Sequence, residues 1–128
     1  MKAILPRSRP DRDLKKRTKE FALRVIRLVE SLPKTQTARV IGNQLLRSAT
    51  SVPANYRAAC RARSNAEFMS KIGIVEEETD ESVFWMEMLV NAGLVKILRV
   101  VDLMDEGNQL TGIWVSSINT ARGGRRRR

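Results

Sequence analysis

The stretch Gln44–Phe68, QLLRSATSVPANYRAACRARSNAEF, decides the fold of this chain. It indicates a helix rich in small residues, followed at once by the start of another helix. Pro53 lies inside the first of them, where it removes one backbone donor and predicts a kink. Ser64 and Glu67 match the capping box that begins a helix. Helices joined by so few residues pack as neighbours, so this stretch predicts a helical bundle.

The periodicity of the apolar residues predicts four helical segments. Their predicted spans are about Asp11–Leu32, Thr35–Ala62, Ser64–Asn91 and Leu98–Thr120. The short connections favour antiparallel neighbours. We therefore predict an all-α fold, an antiparallel up-down-up-down four-helix bundle over residues 11–121. Residues 1–10 are then an N-terminal extension, and residues 122–128 are a basic tail that we expect to be disordered.

Two absences in the composition restrict the chemistry open to this protein. The chain has no histidine and a single cysteine, Cys60. This excludes Ser–His–Asp and Cys–His nucleophile pairs, zinc sites that contain histidine, and an intrachain disulfide. The acidic run Glu76–Glu81 leaves a hard-cation site as an alternative, although one helix spreads these carboxylates in all directions. We predict no enzyme activity, no cofactor and no metal.

The chain also lacks long apolar segments. No apolar run approaches the roughly 20 residues that a membrane-spanning helix needs. The first residues, MKAILPRSRPDRD, contain no apolar stretch of signal-peptide length. We therefore expect a cytoplasmic protein without a membrane partner.

Positive charge is concentrated in the first half of the chain. The whole chain has 24 Lys+Arg against 14 Asp+Glu, a formal net charge of +10. Residues 1–63 carry 16 basic and 4 acidic side chains, whereas residues 64–107 carry 3 and 10. Two interpretations remain open: a surface that binds polyanions, or charge-matched contacts between subunits.

The basic residues of the first two helices fall in rows opposite the apolar seams. Arginine suits bidentate phosphate contacts, and no motif that reads bases is evident, so we expect binding chiefly to phosphates. A merely solvated surface is the alternative. The predicted nucleic-acid-binding residues are Arg12, Lys16, Lys19, Arg27, Arg39, Arg57, Arg61, Arg125, Arg126, Arg127 and Arg128.

The third helix has a second apolar face. A helix on the surface of a bundle needs only one such face, which packs on the core. The second face, which we predict to be an oligomer interface with other copies of the chain, consists of Ile74, Trp85, Met88 and Ala92.

Two motifs resemble a known family, the bacterial four-helix-bundle proteins named after 23S ribosomal RNA intervening sequences. One is Arg47–Asn55, RSATSVPAN, and the other is Glu76–Glu87, EEETDESVFWME, followed by Gly93-Leu94. The resemblance covers roughly Asp11–Thr120. It implies a homopentameric ring without established catalysis. Members with an assigned role include accessory proteins of the reverse transcriptases in diversity-generating retroelements, which bind the transcriptase and nucleic acid.

These observations together predict a basic oligomer, a homopentamer by the resemblance, that binds RNA or DNA backbones without catalysis. It would serve as an accessory to a nucleic-acid-processing enzyme such as a reverse transcriptase. The alternative is a protein-docking adaptor or structural oligomer that does not bind nucleic acid directly. The two functions differ in whether the arginine rows are needed.

Overall fold

The computed structural model describes the backbone of residues 4–127 and the side chains of residues 13–123. This part of the chain forms four α-helices and no strand. The helices are α1 (Ile4–Glu30), α2 (Gln36–Cys60), α3 (Asn65–Asn91) and α4 (Ile97–Arg127). They pack as a helical bundle around one apolar core, as the sequence predicts.

The helix ends in the middle of the chain are set by local capping. Thr35 caps α2, and its side chain accepts a hydrogen bond from the Ala38 backbone N–H. Ser64 caps α3 and accepts from the Glu67 N–H at 3.1 Å. The Glu67 carboxylate accepts in turn from the Arg63 N–H at 3.2 Å, one residue before the position expected in a capping box.

The stop of α3 depends on a glycine. Gly93 has φ +74°, in the left-handed region that glycine adopts without steric cost. This turn lets the Leu94 N–H donate to the Leu89 carbonyl at 2.9 Å, which closes a Schellman motif. The turn ends α3 only a few residues before α4 begins at Ile97.

Trp114 is the largest side chain in the centre of the core, with 0% of its surface exposed. Its Nε1–H donates to Thr79 Oγ1 of α3 at 3.0 Å. Its ring lies against the ring of Tyr56 of α2, with 5.2 Å between centroids. The Thr79 hydroxyl donates to the Val75 carbonyl at 2.7 Å. The indole therefore joins three helices with its polar atom satisfied.

Small residues allow close approach at two helix contacts. Gly42 of α2 faces the end of α1, where a Cβ would lie 3.4 Å from Val29 Cγ1 and 3.2 Å from Leu32 Cδ1 just beyond the helix. Gly107 of α4 faces α3, where a Cβ would lie only 2.6 Å from Val83 Cγ2. Between α2 and α3, the Ser82 hydroxyl donates to Ser48 Oγ at 3.0 Å. Every buried side-chain nitrogen and oxygen in residues 13–123 has a hydrogen-bond partner.

The outer helix ends differ from the prediction. The structure begins α1 at Ile4 instead of about Asp11, and it continues α4 through Arg127 instead of ending it near Thr120. The segment 122–127 is thus helical where the sequence predicts a disordered tail. Arginine is a good helix former, so a basic composition does not by itself end a helix.

The hydroxyl groups just before Pro53 bond carbonyls of α2 other than the one that the proline leaves without a donor. Pro53 has no N–H to donate to the carbonyl of Ala49, and neither Thr50 nor Ser51 donates to that carbonyl. Instead, Thr50 donates to the Leu46 carbonyl at 2.8 Å, and Ser51 donates to the Arg47 carbonyl at 2.9 Å. These bonds lie one turn earlier in α2.

Candidate nucleic-acid interface

The basic row of α1 lies on the side of the helix that faces away from the core. Lys16, Lys19 and Arg27 are exposed, whereas Phe21 and Val25 are fully buried. The helical repeat places these two sets on opposite faces. The Arg12 side chain, the remaining member of the row, lies outside the described residues.

The basic row of α2 is exposed in the same way. Arg39, Arg57 and Arg61 all point to solvent, and α2 packs directly against α1 through Gly42. The two rows therefore belong to a pair of neighbouring helices. The side chains of Arg125–Arg128 lie outside the described residues, so their predicted role stays a prediction.

The ion pairs of residues 13–123 involve none of the predicted nucleic-acid-binding residues, but they do involve Arg47, which lies on the same face of α2 as Arg39 and Arg57. Arg17 makes a bidentate contact with Glu106, with Nε to Oε2 at 2.8 Å and Nη2 to Oε1 at 2.9 Å. Hydrogen bonding to Glu106 raises the pKa of the Arg17 guanidinium above its ordinary value, against an opposing effect of burial. The other acidic partners, Glu78 and Glu81, both pair with Arg47.

Arg47 of α2 pairs with two carboxylates of the acidic run of α3. It contacts Glu78 and Glu81 of α3, so its charge is neutralised within the chain. Glu81 also accepts a hydrogen bond from Trp85 Nε1 at 2.9 Å. A single carboxylate therefore connects α2 to the indole ring of Trp85 and fixes the position of that ring.

The second apolar face of α3 is partly open to solvent. Ile74 and Met88 are 37% and 36% exposed, Ala92 is exposed, and Trp85 is half-buried. Phe84 extends the face, because its ring packs edge-on against that of Trp85 with 4.9 Å between centroids. No described residue of the chain itself covers this aromatic pair completely.

Other kinds of site find little support in the described part of the chain. Residues 13–123 contain no group of three or more His, Cys, Asp or Glu side chains that could hold a metal ion. An open groove of about 830 Å³ lies between the start of α3 and the end of α4. Its described lining has no charged side chain, which makes it unsuited to phosphate. None of the helices described here is long and apolar enough to span a membrane.

Sequence reasoning missed several contacts that the fold creates. The Arg17–Glu106 pair joins residues 89 positions apart, and no local pattern indicates it. Sequence reasoning also missed an exposed apolar residue: Leu98, at the predicted start of the fourth helix, is 86% exposed on α4. Arg99 donates to Ser31 Oγ at 2.9 Å, which brings a basic residue of α4 to the end of α1.

Comparison with known proteins places this fold among relatives. The family model for the 23S rRNA-intervening sequence protein matches residues 11–116. Among solved structures, one similar chain is a protein with unknown function from the S23 ribosomal protein family of Bacteroides thetaiotaomicron. The two are 30% identical with a TM-score of 0.77, and the match covers 82% of this chain and 97% of the other. No curated protein gives a significant match.

Proposed function

Because the chain belongs to the 23S rRNA-intervening sequence protein family, we propose that it is a basic, non-enzymatic oligomer that binds RNA or DNA backbones. The proposed setting is the cytoplasm. There it acts as an accessory to an enzyme that processes nucleic acid, for which a reverse transcriptase is the example that the family resemblance suggests.

One observation carries the nucleic-acid part of the proposal. The six described residues that the sequence predicts to bind nucleic acid are all exposed, and none of them pairs with a carboxylate of residues 13–123. By contrast, Arg17 and Arg47 are neutralised by acidic partners. Unpaired cations on two neighbouring helices produce a positive field that attracts phosphates.

A charge-neutralised variant tests the role of the α1 row. The change is Lys16→Gln, Lys19→Gln and Arg27→Gln in one chain. The logarithm of the binding constant falls as the logarithm of the salt concentration rises. Each lost phosphate contact should make this fall less steep, by about 0.9 for duplex DNA and about 0.7 for single strands. The measurement is fluorescence anisotropy with labelled oligonucleotides over a range of salt concentrations.

The matched control removes the same number of positive charges outside the rows. It combines Lys34→Gln, Arg63→Gln and Lys71→Gln, and its slope should stay close to that of the unmodified chain. Equal loss in both variants would show that only net charge matters, and that the α1 row is not a binding surface. Nucleic-acid binding that is unchanged in the row variant would also contradict this assignment.

We propose further that neighbouring helices run antiparallel and that copies of the chain form a homopentameric ring. The direction is supported by two contacts between α3 and α4, Thr79 with Trp114 and Val83 with Gly107, because the later α3 residue meets the earlier α4 residue. The ring is supported by the exposed apolar face of α3, described above, which a second copy would cover.

The assembly has its own measurement. Light scattering at micromolar chain concentration should give five times the 14.5 kDa mass of one chain. The interface would bury the aromatic pair of α3, so Trp85 fluorescence should change on dilution into the monomer. A monomer mass at these concentrations would contradict assembly, while it would leave the nucleic-acid proposal standing.

The exposed aromatic pair also favours a second candidate, a protein-docking adaptor. Phe84 is 46% exposed, and Trp85 Nε1 donates to the Glu81 carboxylate, so the polar atom of the pair already has a partner within the chain. Exposed aromatic side chains of this kind are enriched at protein interfaces. An adaptor would keep its partner when the row residues are neutralised, whereas a nucleic-acid-binding oligomer would lose affinity for its ligand.

A further inference from the structure

Three arginines from two helices line one crevice between α1 and α4. They are Arg24 and Arg27 of α1 and Arg99 of α4, and the crevice has a volume of about 310 Å³. Buried Leu28 and Leu103 complete its described lining. Arg24 and Arg99 were not among the predicted binding residues. Arg99 lies more than 70 positions from the other two in the sequence, so only the fold brings it to them.

No carboxylate belongs to the described lining of this crevice, and the three arginines form no ion pair with a described acidic residue. Bringing like charges together costs energy unless a counter-charge is present. Glu106 of α4 is already paired with Arg17, and Asp102 of α4, although it follows Arg99 by one helical turn, forms no ion pair with it. The crevice therefore concentrates positive charge without an internal anion.

One of the three guanidinium groups is already held in place. Arg99 Nη2 donates to Ser31 Oγ at 2.9 Å, and Ser31 itself donates to the Leu28 carbonyl at 2.7 Å. This chain of hydrogen bonds positions Arg99 next to α1. A guanidinium group presents paired N–H donors that match two oxygens of a phosphate, and an ordered one loses less entropy on binding.

We propose that this arginine crevice is a phosphate-binding site. The ligand is a phosphate group, either in the backbone of a nucleic acid or as a free phosphate. The inference rests in part on the proposed function, because Arg27 also belongs to the α1 row. It adds Arg24 and Arg99 to that surface, and it extends the surface from α1 to α4.

Thermal unfolding with inorganic phosphate tests the site directly. The full-length chain, Arg24→Gln/Arg99→Gln and the charge-matched control Lys34→Gln/Arg63→Gln are each measured with phosphate and with chloride at equal ionic strength. A ligand that binds only the folded chain raises its Tm. We expect phosphate to raise the Tm of the full-length chain and of the control by a few degrees, and to leave that of the crevice variant unchanged.

The readout is the phosphate-dependent shift within each variant, so a change in basal stability does not obscure the result. An equal shift in all three proteins, or no shift in any of them, would overturn the proposal. The same variants are then titrated with a labelled oligonucleotide over a salt series. If the salt dependence of log K for the crevice variant is less steep by about 0.9, the site binds a phosphate of a duplex backbone. An unchanged slope, with the phosphate shift lost, assigns it to a free phosphate.

The two hypotheses fail in different ways. If the chain binds nucleic acid but phosphate raises the Tm of the crevice variant and of the control equally, the crevice inference is wrong and the proposed function stands. If the phosphate shift is specific to the crevice but no oligonucleotide binds, the crevice is confirmed and the nucleic-acid function is wrong.

Discussion

Trp114→Ala should lower the free energy of unfolding by about 3–5 kcal/mol, because it empties the centre of the core. The side chain is fully buried and contacts α2 and α3 through Tyr56 and Thr79. No buried polar group is left unpaired, since the Thr79 hydroxyl still donates to the Val75 carbonyl. The cost is therefore that of the cavity. Urea unfolding at a fixed chain concentration measures it.

Two neighbouring changes serve as controls for this prediction. Trp114→Phe keeps most of the ring and removes the hydrogen bond to Thr79, which is worth about 0.5–1.5 kcal/mol, with a smaller cavity in addition. Val115→Ala alters the next residue, which is 40% exposed, and should change stability by no more than about 0.5 kcal/mol. A loss below about 1 kcal/mol for Trp114→Ala would contradict the described core.

Two glycines of α4 should respond in opposite directions to the same substitution. At Gly107, a Cβ would lie 2.6 Å from Val83 Cγ2 and 3.4 Å from Phe21 Cε1. Valine is stiff about χ1, so that methyl group cannot rotate away at low cost. At Gly112, a Cβ would meet nothing within 4 Å. Gly112→Ala should thus stabilise the chain by up to about 1 kcal/mol through helix propensity.

Gly107→Ala gains the same helix propensity but has the additional cost of overpacking. The difference between the two variants isolates that cost, which we expect to be about 1–3 kcal/mol. Their thermal or urea unfolding curves, recorded side by side, give this difference. If both substitutions stabilise the chain equally, α4 does not approach α3 as closely at Gly107 as described.

The parts of the fold that depend on local sequence were predictable. The Ser64 cap and the end of α3 at Asn91 each follow from a few adjacent residues, and the structure confirms both. The apolar seams were predictable for the same reason, since a helix repeats every 3.6 residues. The motifs around Pro53 and Trp85 also indicated the family that the comparisons confirm.

The features that depend on helix packing were not predictable. A glycine inside a helix usually lowers helix propensity, and nothing local to Gly107 indicates that α3 packs closely against this position. The arginine crevice depends on how α1 and α4 are rotated about their axes relative to each other, and the apolar pattern of a single sequence does not specify this rotation. The end of α4 was misplaced because an arginine-rich segment resembles both a disordered tail and a solvated helix, and the start of α1 was misplaced because Pro6 and Pro10 disfavour a helix locally.

The central claim is that exposed cations on α1 and α2 bind nucleic-acid phosphates. Fluorescence anisotropy of the full-length chain with single-stranded, duplex and structured RNA and DNA, over a range of salt concentrations, tests it most directly. We predict micromolar or tighter binding whose logarithm falls linearly and steeply with the logarithm of the salt concentration. Absence of binding to every substrate at low salt would contradict the claim, and the basic rows would then have to serve assembly or a protein partner.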